Sequence, residues 1–350
     1  MSRFFNKKYS GLEPYTPGEQ PQDMQYIKLN TNESPFDVPE SVVRAAAKAA
    51  ERLRLYPDPT CAALIRKLSD VTGLNEDQLI INNGSDEGLY FAFLAFCGGE
   101  SPAVFPDITY GFYPVFAGFC GVPYEEIPLK DDFSIDINDY IGINKNIFIA
   151  NPNAPTGIAL AASEIEKILA SNPDNIVLID EAYVDFGAES CLPLVNKYDN
   201  LIVTQTFSKS RSLAGARLGF AAASPEIIRD MNTIRFSTNP YNINAMTMAA
   251  GIASLEAQDC TKANCLKIQE NRAYTADALK GLGFEVLDSR SNFIFARHPR
   301  TDGGDLYLKL KENGILVRHF EKPRIKDFIR ITIGTREQME AFISKVKELI

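Results

Sequence analysis

The sequence predicts an α/β protein, in which a large domain built on a mostly parallel sheet between helices is followed by a smaller α+β domain. Three observations predict it. Between residues 78 and 224, short apolar runs alternate with helical stretches, the pattern of a parallel sheet covered on both faces. From about residue 244, a long helix-rich stretch gives way to short strands and a final helix. The chain has 350 residues, more than one small core needs, and suits about two domains of roughly 150 residues each.

The elements follow in order. Residues 1–36 are polar and carry Pro14, Pro17, Pro21 and Pro35, which predicts an extended arm that packs with the small domain or with a neighbouring chain. Pro39 to Leu55 reads as a helix with Val42, Val43, Ala46, Ala50 and Leu53 on one face, ending before Pro57. Thr60 to Thr72 reads as a second, with Leu64, Leu68 and Val71 and a C-terminal Gly73. QLIINN (78–83) predicts a strand and DEGLYFAFLAF (86–96) an apolar helix. AVFP, VPYEEIPL, NIFIANP (146–152), NIVLIDEAY (175–183), NLIVTQTFSK (200–209) and LGFAAAS (218–224) predict further strands, with helices such as SEIEKILAS (163–171) between them. Beyond the helix-rich stretch to Leu282, FEVLDSRSNFIFAR, ILVRHF and FIRITIG predict strands and EQMEAFISKVKELI a closing helix. The expected divisions are an arm (1–36), a large domain (37–243) and a small domain (244–350).

Composition removes several function classes. The net charge is −9 and no Lys/Arg block appears, so neither nucleic acid nor an anionic membrane is an expected partner, and any anion site must be a local pocket. No run of about 18 apolar residues is present, and MSRFFNKKYSGLEPY lacks the apolar region of a signal peptide. Six cysteines (61, 97, 120, 191, 260, 265) show no CxxC spacing, and only His298 and His319 could join them. Zinc and a disulfide framework are therefore poor readings, and reduced cysteines in a cytoplasmic protein are expected.

Ligands of a parallel sheet bind beyond the carboxyl ends of its strands. There the sequence places Gly84-Ser85-Asp86-Glu87, NPNAPTG, Asp180-Glu181-Ala182-Tyr183 and Thr206-Phe207-Ser208-Lys209, with Arg217 eight residues on. Each alone has a plain structural reading: a turn and helix cap, a turn acid, a solvated lysine, a surface guanidinium, and core or surface aromatics for Tyr110 and Tyr113. Together they make one chemical sense. Amides at Gly84 to Asp86, hydroxyls of Thr206 and Ser208, and the fork of Arg217 suit a phosphate. A lysine beside it can form a Schiff base with an aldehyde, and a neighbouring carboxylate can hold a pyridine nitrogen protonated. Those are the groups that pyridoxal 5'-phosphate requires.

With these residues in place, the chain resembles the fold-type I pyridoxal-phosphate-dependent aminotransferases, and among them is similar to the histidinol-phosphate aminotransferases. The resemblance runs nearly end to end: LNTNESPF (29–36), LYPDP (55–59), NNGSDE (82–87), the ITYGFY segment, NPNAPTG (151–157), IDEAYVDF (179–186), TFSKSRSLAGARLGF (206–220), SNFIFA (291–296), ILVR (315–318) and IRITIGT (329–335). It implies that Lys209 carries the cofactor as an imine and shuttles the proton, that Asp180 pairs with the ring nitrogen, that Tyr183 bonds the ring hydroxyl and that Tyr110 stacks on the ring. It implies that Gly84, Ser85 and Asp86 (through backbone amides), Thr206, Ser208 and Arg217 hold the phosphate. Tyr56 would reach the cofactor of a neighbouring subunit, which requires a homodimer. Tyr15, Asn32, Tyr110, Arg318 and Arg330 stand where the family binds substrate. The family's usual NPNNPTG is changed here to Ala154 at the fourth position, which implies either that Asn153 shifts into the role at the ring hydroxyl or that Tyr183 acts there with a water.

The implied activity is transamination of histidinol phosphate with 2-oxoglutarate to imidazole-acetol phosphate and L-glutamate, in histidine biosynthesis. Aromatic amino-acid aminotransferases and threonine-phosphate decarboxylases share the cofactor residues and are the alternatives in substrate.

Overall fold

The computed structural model describes residues 2–350. Residues 2–36 are mostly extended apart from a helical turn at Lys7–Tyr9. Strand β1 (Ile27–Lys28) pairs in parallel with a strand at Ile315–Leu316, and Leu29 is buried in the small-domain core. Nearer the N-terminus, Tyr9 stacks on Phe119 at 5.3 Å and Tyr15 lies 4.4 Å from Phe112. The Glu19 carboxylate meets Tyr307 and Lys311, which ties the arm down at a third place.

Helices α1 (Glu40–Ala50) and α2 (Ala62–Thr72) follow. Helix α1 stops five residues earlier than the sequence predicts. Residues 51–55 form single turns, and Val43 and Leu53 are 53% and 57% exposed, so only Val42 of the expected stripe is buried. Then strand and helix alternate: β2 (Leu79–Asn82), α3 (Gly84–Phe96), β3 (Ala103–Pro106), α4 (Phe112–Cys120), β4 (Tyr124–Ile127), β5 (Asn146–Ala150), α5 (Ala162–Ser171), β6 (Val177–Asp180), β7 (Leu201–Thr206) and β8 (Gly219–Ala223).

These strands form one seven-stranded sheet in the order β2-β8-β7-β6-β5-β3-β4. Strands β3 to β7 are mutually parallel; β8 runs antiparallel to both neighbours. The reason lies in its connection. Parallel strands need a crossover, usually a helix. Residues 207–218 carry only turns and one 3-10 turn (Ala214–Ala216) and no crossover helix, so the chain folds straight back. That return places Lys209 and Arg217 together at the carboxyl edge. Side chains alternate between two apolar cores. Ile81, Ile149, Ile179 and Val203 face one; Ile80, Phe148, Leu178 and Ile202 face the other, under α3 and α4. Both faces of the central strands are dry, which is why they read as continuous apolar runs, while β4 at the sheet edge is mostly exposed.

Helices α6 (Pro225–Thr238) and α7 (Ala245–Glu256) come next. Helix α7 packs on α1 and α2, with Ala250, Ala253 and Leu255 in the first core. A Cβ on its Gly251 would lie 2.5 Å from Leu218, a close approach that only glycine permits. The long α8 (Gln258–Gly281) leads to β9 (Glu285–Val286), β10 (Phe293–Arg297), α9 (Gly303–Glu312), β11 (Ile315–Leu316), β12 (Arg318–His319), β13 (Ile329–Thr332) and α10 (Arg336–Leu349). Strands β12-β13-β10-β9 make an antiparallel sheet with α8, α9 and α10 packed around its core. No helix is long and apolar enough to cross a membrane among the described residues. All six cysteines are free, and no cluster with metal-ligating composition occurs among those residues.

Candidate active site

Asp180 ends β6 and is 4% exposed. Its Oδ1 accepts a hydrogen bond from the Thr204 hydroxyl at 3.1 Å, because register pairs the two residues on adjacent strands. Its Oδ2 accepts a longer one, 3.4 Å, from the Tyr113 hydroxyl. Burial, and then the nearby Asp86 charge, raise the Asp180 carboxyl from the usual 3.8 to about 7. An acid so enclosed ionises at little cost only when a cation stands beside it.

Lys209 follows β7 on the returning loop. Its Nζ donates to the Thr31 carbonyl at 3.2 Å and lies 5.9 Å from the centre of the Tyr183 ring. Enclosure is the main cause, with Arg330 adding to it, that lowers the ammonium from 10.5 to about 8. The amine is therefore still mostly protonated near pH 7, but its neutral, nucleophilic form is far more populated than that of an ordinary lysine. Tyr183 accepts a hydrogen bond on its hydroxyl from Asn32 Nδ2 at 3.0 Å and packs edge-on against Phe293. Asn32 is itself locked: the Thr332 hydroxyl donates to its Oδ1, and its own N–H donates to Thr332 Oγ1, both at 3.0 Å.

Several hydrogen-bond donors converge where β2 passes into α3. Gly84 has φ +74°, and a Cβ there would lie 2.6 Å from Arg217 Nη2, so the guanidinium rests on the glycine itself. Gly219, opposite, lets β8 approach: a Cβ on it would meet the Ser85 nitrogen at 2.7 Å. The amides of Ser85 and Asp86 belong to the first turn of a 13-residue helix, where N–H groups lack intrahelical partners. Thr206 donates to Ser208 Oγ at 3.0 Å, and the two hydroxyls belong to the same loop as Arg217. Tyr110 lies at the rim, its hydroxyl donating to Asp86 Oδ1 at 2.7 Å.

Arg330, on β13, donates from Nη2 to the Asn30 carbonyl at 2.8 Å, while its enclosed Nε has no partner. It makes no ion pair among the described residues, although Phe293 and Phe320 flank its guanidinium at 5.3 and 5.6 Å. Arg318 pairs with Arg330 across the β12–β13 register and donates to the Thr16 and Pro17 carbonyls of the arm at 3.2 and 3.3 Å. Tyr15, from the same arm, lies 6.4 Å from Tyr110. These two arginines have no carboxylate partner among the described residues, and the arm with Tyr15 faces them, an arrangement that suits an anion.

Two residues stand apart from this cluster. Tyr56 is 83% exposed and stacks on Tyr241 at 4.7 Å, presenting its ring outward. Asn153 is buried, but its amide donates to the Ile108 carbonyl and Thr156 Oγ1, and its Oδ1 accepts from Thr109. Both its N–H hydrogens are used by the loop, so Asn153 holds the 106–109 segment in place and has no donor left for a ring hydroxyl. Asn32 already reaches the Tyr183 hydroxyl from the other side. Tyr113 and Thr204, the partners of Asp180, carry no mark in the sequence that points to that acid; the one signal is that Tyr113 follows Tyr110 by three residues, at the start of α4.

The chain matches the family model for class I and II aminotransferases over residues 24–346. It is 49% identical over 352 residues to a histidinol-phosphate aminotransferase of Brachyspira hyodysenteriae, covering 100% of this chain and 99% of that one. It is 47% identical over 350 residues to one from Acinetobacter baumannii, covering 99% and 97%. Its fold superposes with a TM-score of 0.85 on a histidinol-phosphate aminotransferase of Sinorhizobium meliloti solved in complex with pyridoxal-5'-phosphate, at 24% identity and over 93% of this chain and 92% of that one. The chain belongs to the class I and II aminotransferases and, within them, to the histidinol-phosphate aminotransferases.

Proposed function

We propose that the chain is a pyridoxal 5'-phosphate-dependent transaminase that exchanges the amino group of histidinol phosphate with 2-oxoglutarate, giving imidazole-acetol phosphate and L-glutamate, and so serves histidine biosynthesis. The observation that carries the reading is Lys209: a half-buried amine lowered to about 8, on the same short loop as the anion-gripping Arg217.

The residues fit the cofactor. Gly84 leaves room for the Arg217 fork, the α3 amides and the Thr206 and Ser208 hydroxyls supply donors for a phosphate, and Asp180 is an acid that lacks a cation. When bound, pyridoxal phosphate supplies an aldehyde for the amine and a ring that withdraws electrons from the substrate carbon. The rest falls to this chain's side chains. Asp180 holds the proton on the ring nitrogen. Tyr183, set by Asn32, would donate toward the ring hydroxyl, and Tyr110 would offer a face to the ring. Lys209 Nζ would take the proton from the substrate carbon and return it, as general base and then acid. Arg330 and Arg318 bind the phosphate of one substrate and the carboxylates of the other, since a guanidinium fork suits either. We further infer that the exposed Tyr56 reaches the cofactor phosphate of a second copy and that the working form is a homodimer in the cytoplasm, a reading supported by the outward-facing ring of Tyr56.

The test is a substrate panel on the cofactor-loaded protein. Histidinol phosphate should be turned over with a far higher kcat/KM than phenylalanine, tyrosine or threonine phosphate. Preference for an aromatic amino acid, or carbon dioxide release from threonine phosphate, would assign the chain a different substrate.

A further inference from the structure

The first turn of α3 carries a carboxylate that phosphate binding does not call for. The family resemblance uses Asp86 through its backbone amide, yet its side chain makes two well-formed contacts. Oδ1 accepts from the Tyr110 hydroxyl at 2.7 Å, and Oδ2 accepts from Arg217 Nη2 at 3.0 Å. Neither is local, for the partners lie 24 and 131 residues away in sequence. Tyr110 remains a donor, since burial and the Asp86 charge hold its phenol well above the usual 10. Arg217 is held on its other side by Gly84, and its own backbone sits in the left-handed region at φ +53°.

A negative charge inside a dianion site opposes the dianion through space. Asp86 must therefore contribute something that offsets this, and its two contacts show what. Tyr110 is the aromatic wall of the cleft and Arg217 its anion grip.

We propose that the Asp86 side chain is a positioning residue that ties the Tyr110 hydroxyl to the Arg217 guanidinium, so that the stacking face and the anion grip are set as one unit before the cofactor enters. The inference rests on the reading of residues 84–86 and Arg217 as a phosphate cradle. It has a specific consequence. The Tyr110 hydroxyl satisfies one oxygen of Asp86; without it, the carboxylate draws harder on Arg217 and competes with an incoming phosphate. Tyr110 then influences phosphate affinity without touching the phosphate, and does so only through Asp86.

Cofactor-free protein titrated with inorganic phosphate in a calorimeter tests this, using wild type, Tyr110→Phe, Asp86→Asn and the double variant. Tyr110→Phe should weaken phosphate about threefold or more in the wild-type background and leave it essentially unchanged in the Asp86→Asn background, a non-additivity expected of residues in one network. An equal effect of Tyr110→Phe in both backgrounds, or none in either, overturns the coupling while leaving the cradle intact. Absence of phosphate binding in every form, wild type included, overturns the cradle and the coupling together. Asp86→Ser carries the same comparison if Asp86→Asn fails to fold, as judged by its circular dichroism.

Discussion

The Tyr113 hydroxyl points at Asp180 Oδ2 from 3.4 Å, across the interface between the first turn of α4 and the end of β6. Both residues are enclosed, with Tyr113 at 0% exposure and Asp180 at 4%. The tyrosine cannot ionise there, since burial and the Asp180 charge raise its phenol well above 10. It is thus a fixed donor that favours the charged form of the acid. Tyr113→Phe should retain the fold and the cofactor but lower kcat roughly five- to tenfold with KM nearly unchanged, matching the roughly 1 kcal/mol or somewhat more of a lost buried hydrogen bond. Steady-state kinetics check the split between kcat and KM.

Asp180 also makes the cofactor-free protein sensitive to pH. Its folded carboxyl titrates at about 7 against the usual 3.8, so folding binds a proton there. Its contribution to stability is complete below the ordinary carboxyl range and is lost as pH rises through about 7. Glu181, raised to about 7 by the same cause, acts with the same sign. Thermal melts of the cofactor-free protein should therefore fall between pH 5 and pH 8, and Asp180→Asn should flatten part of that fall while abolishing most turnover. A melt that rises across this window in wild type contradicts the assignment.

At Gly84 the chain has no room for a side chain. A methyl group would sit 2.6 Å from Arg217 Nη2 on a backbone at φ +74°. Gly84→Ala should displace the guanidinium and weaken pyridoxal phosphate binding about tenfold or more, with a circular dichroism spectrum like that of wild type. Absorbance titration of the cofactor-free protein measures the affinity.

Arg330 combines an enclosed, unpartnered Nε with the lack of any ion pair among the described residues. Arg330→Gln should raise KM for both histidinol phosphate and glutamate by about a hundredfold, the scale of a lost charge-assisted pair of roughly 3 kcal/mol. Arg330→Lys should recover only part of that, because a point charge does not reproduce the fork. Equal KM values in wild type and Arg330→Gln would remove this arginine from the substrate site.

Much of this was legible in the sequence because it rests on local chemistry. The run from Val177 to Asp180 is apolar until the residue that leaves the sheet, so the acid announces the strand's carboxyl end. Gly84 marks a turn before a helix, and Lys209 and Arg217 share one loop. What was illegible depends on distant partners. Nothing in NPNAPTG says that Thr109 and Ile108 claim the Asn153 side chain, since both lie 44 or more residues earlier. Nothing near Tyr113 says that its hydroxyl finds Asp180, 67 residues on. The antiparallel β8 was hidden for a related reason: an apolar strand carries no mark of direction, and only the shortness of its connection gives it away. The early end of α1 reflects the same limit, since a stripe of Val43, Ala46 and Leu53 does not show by itself whether a core lies beneath it.

The most direct measurement is borohydride reduction of the protein loaded with pyridoxal 5'-phosphate, followed by peptide mapping. Hydride reduces the imine to a stable secondary amine, fixing the cofactor wherever it was attached. A single labelled peptide with the added mass on Lys209, and loss of both the label and the activity in Lys209→Ala, is the predicted result. Label on another lysine, or full transaminase activity in Lys209→Ala, would contradict it.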